Sequence, residues 1–161
     1  TACSHAVRVA DVVAWDARMR ESLDKATAIA AAGDVELVAS ICLGVIHDAM
    51  ERCHPNHAIL VQARLMLVGT FTQTSPPRHA TVKAKIEAAR GALAVLDRCA
   101  PPYDPQKGDI RFQLGAELHT LARLRRALSG GANGTATTVA DADEYRELLR
   151  EAASALQGAI A

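Results

Sequence analysis

Met50-Glu51-Arg52-Cys53-His54-Pro55 returns downstream as Leu96-Asp97-Arg98-Cys99-Ala100-Pro101, at an offset of 46 residues from Met50 to Leu96. In both copies an apolar helical pattern runs into Arg-Cys and is stopped shortly afterwards by proline, which cannot continue a helix. A further apolar stretch follows each time. Self-similarity at a period of this size marks stacked helical hairpins, an architecture that serves mostly to bind other chains. The apolar helical patterns on both sides of this echo point to an all-α fold.

Composition agrees. Half of the 161 residues are hydrophobic but only 3% are aromatic, and the apolar set is dominated by Ala, Leu and Val. Strong helix formers therefore outnumber the β-branched and aromatic residues that an ordinary sheet needs. A chain of this length supports one domain with a sizeable core, so residues 1–161 are expected to form a single all-α domain.

Lys and Arg balance Asp and Glu, 18 against 18. The basic surplus that neutralises phosphates is missing, and nucleic acid is not an expected partner. No segment has the length and apolarity of a membrane span, and none has the form of a secretory signal. The expected setting is intracellular and cytoplasmic. The chain starts at Thr1, which points to processing or to a piece of a longer protein. Its four cysteines, Cys3, Cys42, Cys53 and Cys99, are widely spaced and read as reduced thiols acting as small core hydrophobes.

Hydrophobic periodicity places six helices at about residues 7–32, 35–53, 57–73, 80–98, 106–128 and 139–160. Val9, Val12, Val13, Met19, Leu23, Ala26 and Ile29 form the inward side of the first, and Gly33 then Asp34 read as its stop and the next N-cap. Leu37, Val38, Ile41, Cys42, Val45, Ile46, Ala49 and Cys53 form the stripe of the second. The third, from His57 to Phe71, is apolar nearly all round, with Arg64 its single formally charged residue. A helix of that kind is expected at the centre of the domain.

Val82, Ile86, Ala89, Leu93 and Leu96 face inward on the fourth helix, and Ile110, Leu114, Leu118, Leu121, Leu124 and Leu128 on the fifth. Asp104-Pro105 is an N-cap followed by proline at the first helical position. Thr74-Ser75-Pro76-Pro77 and the Gly-rich 129–138 segment read as loops, the second of them mobile. The sixth helix buries Ala142, Tyr145, Leu148, Leu149, Ala152, Leu156 and Ile160 behind a charged outer face. These helices are expected to stack as antiparallel hairpins, 35–53 with 57–73 and 80–98 with 106–128. A closed bundle of the same helices is the alternative.

Ala89, Leu93, Leu96 and Pro101 have the spacing of the small, aromatic, Ala and Pro positions that close a tetratricopeptide repeat. Leu114-Gly115 is similar to the Leu-Gly pair that opens the next, although Leu93 stands where that family has an aromatic. More narrowly, residues 34–128 resemble the tetratricopeptide-like C-terminal domain of SET- and MYND-domain lysine methyltransferases. The segments that carry the likeness are His54–Phe71, Ala88–Leu96 and Pro101–Leu121. There is no SET segment and no MYND-type Cys/His series, so no methyltransferase residue carries over. What the resemblance implies is an isolated helical-repeat module.

Two groups of residues are candidates for function. His47, Cys53, His54 and His57 gather near one helix–helix turn, where a metal or small-molecule site of a closed bundle would be conceivable. Their spacing matches no standard zinc motif, and capping His side chains beside a buried Cys are the simpler reading. On the fifth helix Arg111, His119, Arg123 and Arg126 are expected on the side opposite the Leu stripe, with Gly115 between them. The first helices of tetratricopeptide hairpins line that family's groove. By resemblance this face, with Arg64 of the third helix, would grip an acidic peptide or a C-terminal carboxylate, for which Arg is suited. The expected role is therefore non-enzymatic binding of a protein or peptide, with no cofactor and no metal. A structural subunit of a larger assembly is a further alternative.

Overall fold

The structure, a computed structural model, describes residues 9–70, 79–131 and 139–160. The described residues form six helices: α1 (Val9–Ala31), α2 (Val35–Arg52), α3 (Ala58–Gly69), α4 (His79–Cys99), α5 (Pro105–Gly131) and α6 (Val139–Ile160). No strand occurs among the described residues. The chain divides into two compact units, Thr1–Ala63 and Arg64–Ala161, with the division inside α3.

In the first unit α1 packs on α2. The turn between them follows the sequence closely. Gly33 takes a φ of 85°, a left-handed conformation that a side chain would strain. Asp34 then caps α2, its carboxylate accepting from the Leu37 N–H at 3.1 Å. At the other end Cys53 is extended and donates its N–H to the Ala49 carbonyl.

The core of this unit is Trp15, Leu23 and Ala26 of α1 against Val38, Ala39, Cys42, Val45 and Ala49 of α2, with Ile59, Leu60 and Ala63 also buried. Val12 and Val13, expected inward, are 47% and 62% exposed. Val12 lines a cleft with Glu51 and Arg52, the polar last turn of α2. Leu37, expected in the α2 stripe, is also exposed.

Trp15 is buried, and its indole N–H donates to Asp48 Oδ2 at 2.5 Å. Arg52 donates to the other oxygen of the same carboxylate at 3.0 Å. The Trp15 bond first, and the Arg52 cation after it, hold the Asp48 carboxyl below its ordinary value. A depressed carboxyl stabilises the fold above its unfolded value, about 3.9, and that contribution is lost as pH falls through the lower folded value. Trp15 is the only tryptophan. Its fluorescence is therefore expected to change as pH drops below about 4. Asp48→Asn should remove this transition and lower stability at neutral pH. An unaltered acid transition in the variant would contradict the assignment.

The second unit is built on α5, which packs on both α4 and α6. Lys85 meets Glu117, while Asp97 near the end of α4 meets Lys107 and Arg111 near the start of α5, so the two helices run in opposite directions. The same holds for α5 and α6, where Gly108 faces Ala159 and Gly115 faces Ala152 and Leu156. Val82, Ile86, Ala89, Ala92 and Val95 of α4 and Ile110, Leu114, Leu118 and Leu121 of α5 form the core. As expected from Asp104-Pro105, α5 starts at Pro105, and Asp104 Oδ1 accepts from the Gln106 N–H at 2.8 Å. It runs on to Gly131, so Ser129–Gly131 is helical rather than loop.

Two other expectations change. The third helix has one buried face, not a continuous one: Gln62 and Gly69 are exposed, and Val61, Leu65 and Met66 are half-buried. Among the described side chains of α6 only Ala152 is buried, while Leu148, Leu149 and Leu156 are half-covered. The remainder of the loop expected at 129–138, the loop at 74–77, Cys3, and the side chains of Val9, Leu128, Ala142, Tyr145 and Ile160 lie outside the described residues.

A buried lysine ties three elements of this unit together. Lys85 is 2% exposed; its ammonium donates to the Thr70 carbonyl just past α3 and sits 3.2 Å from Glu117 on α5. Lys107, also buried, donates to the Ala100 carbonyl at 3.0 Å and so closes the C-terminal end of α4.

Candidate partner-binding face

Side chains on α5 divide by helical position, about 100° per residue. One broad arc is covered by α4 and α6. The remaining arc carries Phe112, Ala116, His119, Arg123 and Arg126, all exposed. Their spacings of four, three, four and three residues align them as one stripe along the helix. From Phe112 to Arg126 the stripe is roughly 21 Å long at 1.5 Å per residue. His119, Arg123 and Arg126 have no ion pair or side-chain hydrogen bond among the described residues.

The other two expected binding residues are placed differently. Arg111 is not on this stripe. It lies between α5 and α6, donating to the Gly158 carbonyl at 3.2 Å and to Asp97 Oδ1 at 3.3 Å. Gly115, expected on the polar side, is buried against α6. Arg64 is half-buried and points to α4, its guanidinium 3.4 Å from the Gly91 carbonyl. A Cβ at Gly91 would stand 2.7 Å from the Arg64 Cζ, so the cation lies on bare backbone. Burial pushes the Arg64 pKa down. Arg64 and Arg111 thus anchor helices to one another, and the structure does not bring them together with His119, Arg123 and Arg126.

The residues near the turn after α2 do not converge either. His47 pairs with Glu51 at 3.6 Å. His54 Nδ1 accepts from the Asn56 N–H at 3.2 Å. His57 sets its ring edge against Trp15, with centroids 5.9 Å apart. Among the described residues no three His, Cys, Asp or Glu side chains are placed to hold a metal ion. Burial, then the carboxylates of Asp16 and Asp48, raise the Cys53 thiol, the reverse of what a nucleophilic thiolate requires. Burial likewise pushes the Cys42 thiol up to about 11. Cys42, Cys53 and Cys99 are all free of disulfides.

A separate cleft of about 350 Å³ lies between α4 and α6, with Leu118 and Leu121 of α5 at its floor. Arg90 and Glu151 join its walls through a bidentate pair, with Nη2 at 2.7 and 2.5 Å from the two carboxylate oxygens. Cations and carboxylates alternate around it, Lys83 and Arg125 with Glu87 and Glu147, so it favours neither sign of ligand.

Sequence reading missed two exposed aromatics, Tyr103 at 87% and Phe112 at 60% exposure. Phe112 falls two residues before Leu114 of the stripe, and that offset is a signal that it faces away from the core. No family model, no curated protein and no solved structure matches the chain. Among the described residues no helix is long and apolar enough to cross a membrane.

Proposed function

We propose that this protein is a non-enzymatic helical module that binds an acidic segment of a partner protein on the exposed face of α5. The observation that carries this reading is the alignment of His119, Arg123 and Arg126 on one exposed stripe, with no carboxylate paired to them among the described residues. Arg offers a planar fork that bonds a carboxylate through two donors, and two such groups one turn apart fix a register as well as an affinity. Antiparallel packing of α4, α5 and α6 is compatible with the tetratricopeptide-like stacking read from the sequence, which remains part of the proposal. Free thiols at Cys42, Cys53 and Cys99 suit the reducing, cytoplasmic setting expected for it.

Titration of a fluorescein-labelled, Glu-rich peptide followed by anisotropy tests this. Binding is expected to weaken as salt rises through the physiological range, where charges separated by more than about 8 Å are screened. Arg123→Glu with Arg126→Glu should lower affinity by at least about tenfold, because like charges then oppose one another. Both side chains are exposed, so the fold is expected to survive, which circular dichroism checks. Unchanged affinity in the folded double variant would refute the proposal.

A further inference from the structure

One end of the α5 stripe opens into a cleft of about 410 Å³ beside the loop that precedes the helix. Tyr103 and Phe112 line it, with Pro102, Pro105 and Gly108. Both of these aromatics are turned to solvent, in contrast to Trp15 at 5% exposure. An exposed pair of rings at one cleft is unusual for a surface that serves only solubility.

The loop is held in place before any ligand arrives. Pro101, Pro102 and Pro105 restrict its backbone. The Asp104 N–H donates to the Pro101 carbonyl at 3.2 Å, and buried Lys107 pins the Ala100 carbonyl. Preorganisation of this kind reduces the entropy lost on binding. Two exposed rings lining one open cleft suit the ring and extended backbone of a polyproline II segment, which is itself stiff and leaves no internal backbone bonds to break.

We infer that the partner segment is extended and carries a proline that seats between Tyr103 and Phe112, followed on one side by carboxylates that reach His119, Arg123 and Arg126. This rests on the binding face proposed above and adds the anchor and the spacing. His119 lies roughly 10 Å and Arg126 roughly 21 Å along the helix from Phe112. At 3.1 Å per residue, a polyproline II chain places its carboxylates about three to four and about seven positions from the proline. A helical partner would need about twice that spacing, and charge complementarity along the stripe is what selects an acidic segment.

The test uses the full chain and labelled twelve-residue peptides with one Pro and Glu at those two positions, in both orientations, beside peptides in which Pro is replaced by Ala. In one orientation the Pro peptide is expected to bind about tenfold tighter than its Ala counterpart, a difference of about 1.4 kcal/mol. Phe112→Ala and Tyr103→Ala should each weaken the Pro peptide, and in Phe112→Ala the advantage of Pro over Ala should disappear. Equal binding of the Pro and Ala peptides to the unaltered protein would overturn the inference. So would an advantage of Pro that survives in both aromatic variants. If affinity still depends on Arg123 and Arg126 in either of those cases, the acidic-segment reading stands while its anchor falls. Loss of dependence on the arginines would remove both.

Discussion

Glu117→Ala is expected to cost about 3 kcal/mol of stability, and Lys85→Met only about 1 kcal/mol. The asymmetry follows from where the two charges sit. The Lys85 side chain is 2% exposed and that of Glu117 is 21% exposed. Removing the carboxylate leaves an ammonium buried between α4 and α5 with the Thr70 carbonyl as a partner but no counter-charge from Glu117. Removing the ammonium leaves a carboxylate that reaches water, and the Met stem refills most of the space of the Lys stem. The remaining cost is the Thr70 carbonyl, which loses a donor in a buried position. Urea denaturation of the two variants measures both values, and a Lys85→Met variant less stable than Glu117→Ala would contradict the placement of this pair.

Gly115→Val is expected to destabilise by about 2–3 kcal/mol. A Cβ at this position would stand 2.6 Å from Leu156 Cγ and 3.1 Å from the Ala152 carbonyl oxygen. The second neighbour is backbone, so α6 itself must move. For Gly115→Ala two effects compete. Ala gains about 1 kcal/mol of helix propensity over Gly, but the contact with Leu156 is far inside van der Waals distance. We expect the overlap to outweigh the propensity and the variant to be mildly destabilised. Shortening Leu156 to Ala in the Gly115→Ala background should recover part of the loss, leaving the Ala152 oxygen as the residual conflict. Thermal melts of the single and double variants check this. A Gly115→Ala variant more stable than the parent would mean that α6 is displaced at little cost.

These two positions show where sequence reading reached and where it stopped. Capping at Asp34 and Asp104, and the helix bounds near 35, 105 and 139, were legible because each depends on a local residue type with one physical role. Leu114, Leu118 and Leu121 marked the α4 side of α5 by their size. The α6 side is marked by Gly108 and Gly115, small residues that signal contact only once a second helix is seen against them. A single Leu stripe therefore underestimated the covered arc, and Arg111 at its edge was assigned to solvent although it bonds Gly158 and Asp97.

Lys85 lies three residues after Val82 and four before Ala89, in the middle of an apolar stripe, so its burial could have been read from spacing. Its partner could not, because Glu117 is 32 residues away. Val12 and Leu37 had the right period but stand at the exposed edge of their helices. In the candidate site, the charges at His119, Arg123 and Arg126 were legible as an outward set, whereas the aromatic end at Tyr103 and Phe112 depended on how the 101–104 loop meets α5.

Backbone amide chemical shifts of the isotopically labelled protein, followed during titration with a Glu-rich peptide, would locate the binding face residue by residue. Progressive shifts are expected at His119, Arg123 and Arg126 and their exposed neighbours on α5, absent in the Arg123→Glu, Arg126→Glu variant. Shifts confined to α1 and α2, or a binding response that persists unchanged in that variant, would contradict it.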